Sequence, residues 1–139
     1  YNKILVFGGS QKRPNLHVKD MAEAYKVLLE ADDAKIAGEI FNIGYENYSV
    51  DEIANIVKAS LEKFENRKNI TIEKVASDDN RSYQINSEKI FKVLGFKPKR
   101  SLEDAVYDLC EAFNKGYLPN SLTDDKYINV KVMKNKNIN

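Results

Sequence analysis

Few side chains in this 139-residue chain are of types that do chemistry by themselves. Cys110 is the only cysteine, so the chain cannot form an internal disulfide. Its place on an apolar helical stripe indicates a buried structural thiol and not a nucleophile. His17 is the only histidine and has no second histidine or cysteine cluster with which to bind zinc. We expect a packed, hydrogen-bonded histidine, no catalytic residue and no metal site.

Two arginines are candidates for binding an anion. The 22 basic and 21 acidic side chains leave a net charge of +1. The chain therefore has no net field to attract nucleic acid, and an anion must be bound by locally placed arginines. Taken alone, Arg13 before Pro14 is typical of a solvated loop cation. Arg81 follows Asp78 and Asp79, which indicates a surface ion pair that stabilises little.

Strands that alternate with four main helices predict an α/β fold. The predicted elements are strands at 4–7, 40–43 and 70–75, an extended piece at 82–85, and helices that begin near 20, 49, 87 and 101. Strand 40–43 is apolar on both faces, which is typical of a strand inside a larger parallel sheet. Because the chain offers few other strands, we expect a missing amino-terminal half to complete that sheet.

The helix starts are predicted from their capping residues. Asp20 with Glu23, and Ser49 with Glu52, have the spacing of a capping box. Ser87 is the expected cap of the third helix. The first helix should carry its apolar side chains on one face, namely Met21, Tyr25, Leu28 and Leu29.

The last part of the chain, residues 119–139, is polar and rich in lysine and asparagine. We predict a tail there that is loosely ordered or is ordered only by a partner. No apolar run approaches the roughly 20 residues that span a bilayer, and the first residues lack the layout of a signal peptide. The sequence therefore predicts a cytoplasmic protein with no membrane partner and no nucleic-acid partner.

Six segments form an ordered set of motifs. They are QKRPNLHVKDMAEAY at 11–25, GEIFNIG at 38–44, YSVDEIA at 48–54, DNRSY at 79–83, SEKI at 87–90 and LGFKP at 94–98. Together, in this order, they resemble motifs of the extended short-chain dehydrogenase/reductase family. That family contains the NAD-dependent nucleotide-sugar epimerases and dehydratases.

The resemblance implies a fold, a ligand and three site residues. Residues 1–118 would be the carboxy-terminal, substrate-binding portion of a Rossmann-type enzyme, with one strand–helix unit that belongs to the dinucleotide-binding sheet. The implied ligand is a nucleoside-diphosphate sugar, with Arg13 and Arg81 on the diphosphate. A guanidinium suits that group because it offers a planar fork of N–H donors that lysine lacks. Gln11 is either a substrate contact or a turn residue.

The cofactor and catalytic groups of such an enzyme are missing from the sequence. NAD or NADP is held at a glycine-rich turn that opens a helix, whereas Gly8-Gly9 lacks a third glycine and opens no helix. A Tyr-x-x-x-Lys pair occurs at Tyr127 and Lys131, in the tail, and we reject it as the catalytic dyad. We expect the cofactor to bind the missing amino-terminal half, so that this chain alone binds none and has no turnover.

Three interpretations stay open. The first is the nucleotide-sugar-binding portion of an NAD-dependent epimerase or dehydratase in surface carbohydrate or activated-sugar metabolism. The second is a non-catalytic nucleotide-sugar-binding or assembly module that docks on a catalytic partner. The third is a truncated fold that forms a homodimer through its unpaired strands. The sequence does not decide between epimerisation, dehydration and reduction, or between NAD and NADP.

Overall fold

The computed structural model describes residues 2–79 and 81–136 as a mixed α/β chain with a few short strands. The strands are β1 (Lys3–Phe7), β2 (Lys12–Asn15), β3 (Glu46–Ser49) and β4 (Thr71–Val75). The helices are α1 (Val18–Leu29), α2 (Asp33–Ile36), α3 (Val50–Phe64), α4 (Glu88–Leu94), α5 (Leu102–Asn114) and α6 (Asn129–Asn135). The predicted α/β class is confirmed, and α1, α3, α4 and α5 are the four predicted main helices.

The chain divides into two compact units, Tyr1–Asp108 and Leu109–Asn139. The first unit contains both sheets, α1 to α4 and the start of α5. The second contains the rest of α5, a 3-10 turn at Asp125–Tyr127, and α6. The segment predicted as a loosely ordered tail thus contains two short helical elements. The predicted division of roles between 1–118 and 119–139 stays a prediction.

The described strands form two separate two-stranded sheets. β1 and β4 pair in parallel over their whole length, with Lys3 opposite Thr71, and both strands were expected from the sequence. β2 and β3 pair antiparallel, with Arg13 opposite Tyr48. The sequence does not predict this second pair, because both segments are polar and lack an apolar alternation. They become strands only by pairing with each other.

The core of the first unit lies between α1 and α4. The buried cluster consists of Ala24, Ile90 and Phe96, against which Val27, Phe41, Ile43 and Leu94 pack. Ile90 and Ala24 are completely buried. Burying such a side chain stabilises the fold by about 1.5–3 kcal/mol for each large apolar group.

The predicted strand at 40–43 does not form within the described chain. No backbone hydrogen bond joins these four residues to another described residue, and the Ile40 side chain is 79% exposed. Phe41 and Ile43 do pack on the core cluster. The prediction fails because a strand needs a partner along its edge, and neither described sheet provides one here. Completion of a sheet by further chain stays a prediction.

Helix α1 is capped by His17 and not by Asp20. The imidazole Nδ1 accepts a hydrogen bond from the backbone N–H of Lys19 at 3.1 Å. The ring is buried, as predicted, and its Nε2 lies 3.3 Å from a carboxylate oxygen of Asp108. The predicted capping box at Asp20 and Glu23 is therefore wrong. Asp20 lies inside the first turn and is completely buried.

Ser87 lies at the N-cap position of α4, as predicted, but its side chain does not make the capping hydrogen bond. Asn86 accepts a hydrogen bond from the backbone N–H of Glu88 at 2.7 Å, whereas Ser87 makes no capping hydrogen bond. The hydroxyl of Ser87 instead bonds both backbone groups of Gly44, at 2.8 and 3.0 Å. Ser87 is diverted because Gly44 lies next to it in the tertiary structure. It thereby ties the segment before β3 to α4.

An apolar stripe on α1 faces outward in the described chain. Its exposed side chains are Val18, Met21, Tyr25 and Leu29, the last of them 87% exposed. The predicted apolar stripe is therefore present but does not form the core; the core side of α1 carries Asp20 and Ala24. Among the helices that the structure describes, none is long and apolar enough to cross a membrane.

Candidate anion-binding site

Arg13 lies on β2, and its side chain connects that strand to a distant segment. Its Nη1 donates to the carbonyl oxygen of Lys12 at 2.9 Å and to that of Arg81 at 2.5 Å. The side chain is 30% exposed. These bonds fix the guanidinium plane and leave part of it facing solvent.

The segment 81–83 lies along β2 and brings the second arginine to the first. The N–H of Tyr83 donates to the carbonyl of Lys12 at 3.0 Å, and the N–H of Lys12 donates to the hydroxyl of Ser82 at 2.9 Å. Arg13 and Arg81, 68 residues apart, are therefore neighbours. The two arginines predicted as site residues are brought together by the fold.

A single carboxylate binds both guanidinium groups. The Nε and Nη2 of Arg81 donate to the two oxygens of Asp79 at 2.7 and 3.0 Å, which is a bidentate pair. The Nη2 of Arg13 lies 3.5 Å from Oδ2 of the same carboxylate. The Arg13 guanidinium also lies over the ring of Tyr83, 5.3 Å from its centre. We call Arg13, Asp79, Arg81 and Tyr83 the arginine cluster.

Within the arginine cluster, the pKa of Asp79 is lowered and that of Arg81 is raised. Hydrogen bonds from the side chain and backbone of Arg81 lower the pKa of Asp79 from 3.8 to about 2. The same pair raises the pKa of Arg81. At neutral pH the cluster therefore holds two cations and one anion. The N–H donors of Arg81 already bind the two oxygens of a carboxylate. Phosphate oxygens accept hydrogen bonds from a guanidinium in the same way.

Gln11 is nine-tenths buried and holds the turn after β1. Its Oε1 accepts from the N–H of Gly9 at 2.6 Å, and its Nε2 donates to the carbonyl of Phe7 at 2.6 Å. A Cβ on Gly8, where φ is +77°, would lie 2.7 Å from the Gln11 amide. The amide of Gln11 thus has a structural role in the turn, and a contact with substrate stays a prediction.

The turn after β1 does not fit a dinucleotide. The N–H of Gly8 donates to the carbonyl of Val75 at 2.9 Å, and the N–H of Gly9 is bound by Gln11. A Cβ on Gly9 would lie 2.5 Å from the carboxylate of Asp51, so a negative charge faces this turn. Both N–H donors are occupied, and the turn leads into β2 and not into a helix. A pyrophosphate needs free donors at a helix start.

Tyr127 and Lys131 do not form a dyad on one helical face. Tyr127 ends the 3-10 turn, and Lys131 lies in α6, with Ile128 in extended conformation between them. The Lys131 ammonium is 2.7 Å from a carboxylate oxygen of Asp125. The described residues also contain no cluster of histidine, cysteine and carboxylate side chains that could hold a metal ion.

Sequence reasoning placed Asp79 in a surface ion pair with Arg81, but it missed the contact of Asp79 with Arg13 and gave Tyr83 no role at the site. The signal that could have found these roles is the motif DNRSY at 79–83, which contains Asp79, Arg81 and Tyr83. Arg81 and Asp79 do form the ion pair that the sequence suggested, and Arg13 joins it only through the tertiary structure.

Two comparisons with known proteins bear on this geometry. Residues 2–44 match the sequence profile of the NAD dependent epimerase/dehydratase family. The fold is similar to a dTDP-glucose 4,6-dehydratase from Bacillus anthracis solved in complex with NAD, with 28% identity and a TM-score of 0.63 over 81% of this chain and 34% of that one. The family resemblance is confirmed.

Further solved structures of the extended short-chain dehydrogenase/reductase fold match over a similar extent. A UDP-glucose 4-epimerase from Thermotoga maritima, solved with UDP-glucose, is 25% identical with a TM-score of 0.61, over 83% of this chain and 36% of that one. An L-threonine dehydrogenase from Phytophthora infestans has a TM-score of 0.68 at 13% identity, over 83% and 38%, and shows the fold alone. This chain spans little more than a third of each of these proteins.

Proposed function

We propose that this chain is the nucleotide-sugar-binding portion of an NAD(P)-dependent sugar-nucleotide epimerase or dehydratase. The observation that carries the proposal is the arginine cluster, in which Arg13 and Arg81 meet around one carboxylate. The fold alone does not select a nucleotide sugar, because an L-threonine dehydrogenase shares it. Two guanidinium groups at one point do favour a ligand with several anionic oxygens, such as a diphosphate.

The proposed role is binding and positioning, since the described residues supply neither a dinucleotide cradle nor a tyrosine–lysine dyad. We propose that NAD or NADP binds a further Rossmann-type portion, as in relatives of greater length, and that this chain alone has no turnover. The exposed stripe on α1 and the unpaired segment 40–43 are surfaces that such a portion would cover. We further propose that the whole protein acts in the cytoplasm, in surface carbohydrate or activated-sugar metabolism; the support from its neighbours is that two of them are named for glucose nucleotides, dTDP-glucose and UDP-glucose.

Substitution of the two arginines tests the proposal. We expect Arg13→Ala and Arg81→Ala each to weaken the binding of UDP-glucose about ten- to hundredfold, because each removes hydrogen bonds to a charged group. Lysine at either position should restore only part of the affinity, since it lacks the planar fork. Titration calorimetry of the purified protein measures the effect.

Arg67→Ala is the matched control, because Arg67 is exposed and its guanidinium contacts no carboxylate among the described residues. It removes the same charge and should leave affinity nearly unchanged. If both cluster variants bind UDP-glucose as tightly as the unsubstituted protein, the arginines are surface charges and the proposed ligand is wrong. Turnover by the 139-residue chain alone would contradict the second part of the proposal.

A further inference from the structure

We propose that Asp79 is an internal competitor of the anion site, whose carboxylate occupies the two arginines until a ligand displaces it. This inference rests on the proposed function, because it concerns the same arginines. It adds a residue that sets the affinity of the site for anions and opposes their binding. Its premise, that Asp79 occupies the guanidinium groups, stands on contacts that need no ligand.

The contacts of Asp79 use the donors that an anion would use. Its two oxygens accept hydrogen bonds from Nε and Nη2 of Arg81. Its Oδ2 also lies 3.5 Å from Nη2 of Arg13. The Nη1 of Arg13 is bound to two carbonyl oxygens of the chain. A diphosphate that bound both arginines would need the same N–H groups. In this arrangement the Asp79 carboxylate occupies them and would have to be displaced.

Solvent can accommodate the displaced carboxylate. Asp79 and Arg81 are on the surface, with Asp79 40% exposed and Arg81 72% exposed at the side chain. Water can solvate both groups when they part, so an exchange of carboxylate for phosphate does not strand a buried charge. An exposed ion pair of this kind stabilises the fold little, so a more highly charged ligand can displace the carboxylate.

Displacement of the Asp79 carboxylate need not detach the segment 81–83 from β2. Arg81 N–H donates to Oδ1 of Asp79 at 3.2 Å, while Tyr83 and Ser82 hold the segment on β2 through separate bonds. An asparagine at position 79 would keep Oδ1 as the acceptor for that N–H. It would lose the negative charge and one of the two oxygens that bind the guanidinium groups.

The test is the affinity of Asp79→Asn for inorganic pyrophosphate. We expect the variant to bind about two- to fivefold more tightly than the unsubstituted protein, which is the factor that corresponds to an exposed ion pair. Titration calorimetry at physiological ionic strength measures it, and thermal melting verifies that the variant folds. Weaker or unchanged binding would overturn the proposal, because Asp79 would then support the arginines or be indifferent to the ligand.

Asp78→Asn is the matched control for the change in net charge. Asp78 is the neighbouring carboxylate, exposed and without an ion pair among the described residues. An equal gain in both variants would show a long-range charge effect and overturn a specific role for Asp79.

A ligand-free measurement separates this inference from the proposed function. NMR titration of the Asp79 carboxyl carbon should show a midpoint well below 3.8, and Arg81→Gln should raise it towards that value. An ordinary midpoint in the unsubstituted protein would overturn the premise without any ligand. A lowered midpoint together with no pyrophosphate binding by any variant would instead contradict the proposed function and leave no anion site for Asp79 to occupy.

Discussion

The carboxylate of Asp20 joins two distant parts of the first unit. It accepts hydrogen bonds from the backbone N–H groups of Lys99 and Arg100 at 2.9 and 2.8 Å, and it is paired with the Arg100 guanidinium. Arg100 also donates to Glu23 at 2.9 Å. Burial by itself raises the pKa of Asp20. The bonds from the Arg100 and Lys99 backbones and the Arg100 guanidinium outweigh that effect, so the pKa is lowered.

Removal of this carboxylate should destabilise the protein strongly. We predict that Asp20→Ala lowers the free energy of unfolding by about 1–3 kcal/mol, because the backbone N–H groups of Lys99 and Arg100 lose their acceptor while Arg100 keeps only Glu23. Urea unfolding measures the change. Glu23→Ala is the control, since Glu23 is partly exposed and shares Arg100 with Asp20; its cost should stay within about 1 kcal/mol. Similar small effects in both variants would show that the buried pair stabilises little.

The same carboxylate should make stability depend on acid pH. Its pKa is lower in the folded state than its ordinary value of 3.8. Its contribution is therefore present above pH 4 and is lost as the pH falls through the folded-state value. In Asp20→Asn the unfolding free energy should fall less steeply below pH 4 than in the unsubstituted protein. Parallel pH profiles would contradict the assignment.

At the scale of elements, the junction of β3 and α3 positions the strand pair that carries Arg13. Ser49 ends β3 and caps α3: its hydroxyl accepts from the N–H of Glu52 at 3.2 Å. The Glu52 carboxylate accepts in return from the N–H of Ser49 at 2.7 Å. The predicted capping box is confirmed. Because β3 pairs with β2, the box helps to fix the edge on which the arginine cluster is built.

Loss of the box should therefore weaken both the helix and the strand pair. We predict that Ser49→Ala lowers the free energy of unfolding by about 0.5–2 kcal/mol, the cost of losing an N-cap side chain. Urea unfolding followed by circular dichroism measures it. Ser10→Ala is the control, because Ser10 is exposed and makes no hydrogen bond among the described residues. Equal stabilities of the two variants would mean that the box contributes nothing measurable.

At the scale of the whole molecule, the described chain leaves apolar surface uncovered. The α1 stripe and Ile40 are exposed, and the segment 40–43 has no strand partner among the described residues. Each large apolar side chain left in water forfeits about 1.5–3 kcal/mol. The chain also spans little more than a third of the solved proteins it resembles. These facts favour a protein in which further chain or a second copy covers this surface.

Hydrogen exchange tests that expectation. We predict that the amides of Phe41 to Ile43 exchange rapidly in a monomer of the 139-residue chain, because no described acceptor bonds them. They should become protected at high concentration if a second copy pairs with the segment, or in a longer protein that completes the sheet. The amides of α3, which are bonded within their helix, are the internal reference. Strong protection of 41–43 in a demonstrated monomer would mean that the chain covers its own segment and would favour a stand-alone module.

The sequence by itself determined what depends on neighbours along the chain. The start of α3 follows from Ser49 and Glu52, and the end of α4 follows from Gly95, which takes the left-handed conformation at φ +68°. The alternation at 70–75 predicted β4. The motifs were sufficient to predict the resemblance to the epimerase/dehydratase family, and they selected Arg13 and Arg81 as a pair. These features are local because capping bonds and side-chain periodicity act over a few residues.

Only the tertiary structure decided what depends on contacts between distant segments. Asp20 has the spacing of a helix cap but is a buried anchor, because its donors come from Lys99 and Arg100, about 80 residues away. The polar strands β2 and β3 exist because they pair with each other. Arg13 meets Asp79 because the segment 81–83 lies along β2. In each case the partner is fixed by packing across the unit, which no local pattern encodes.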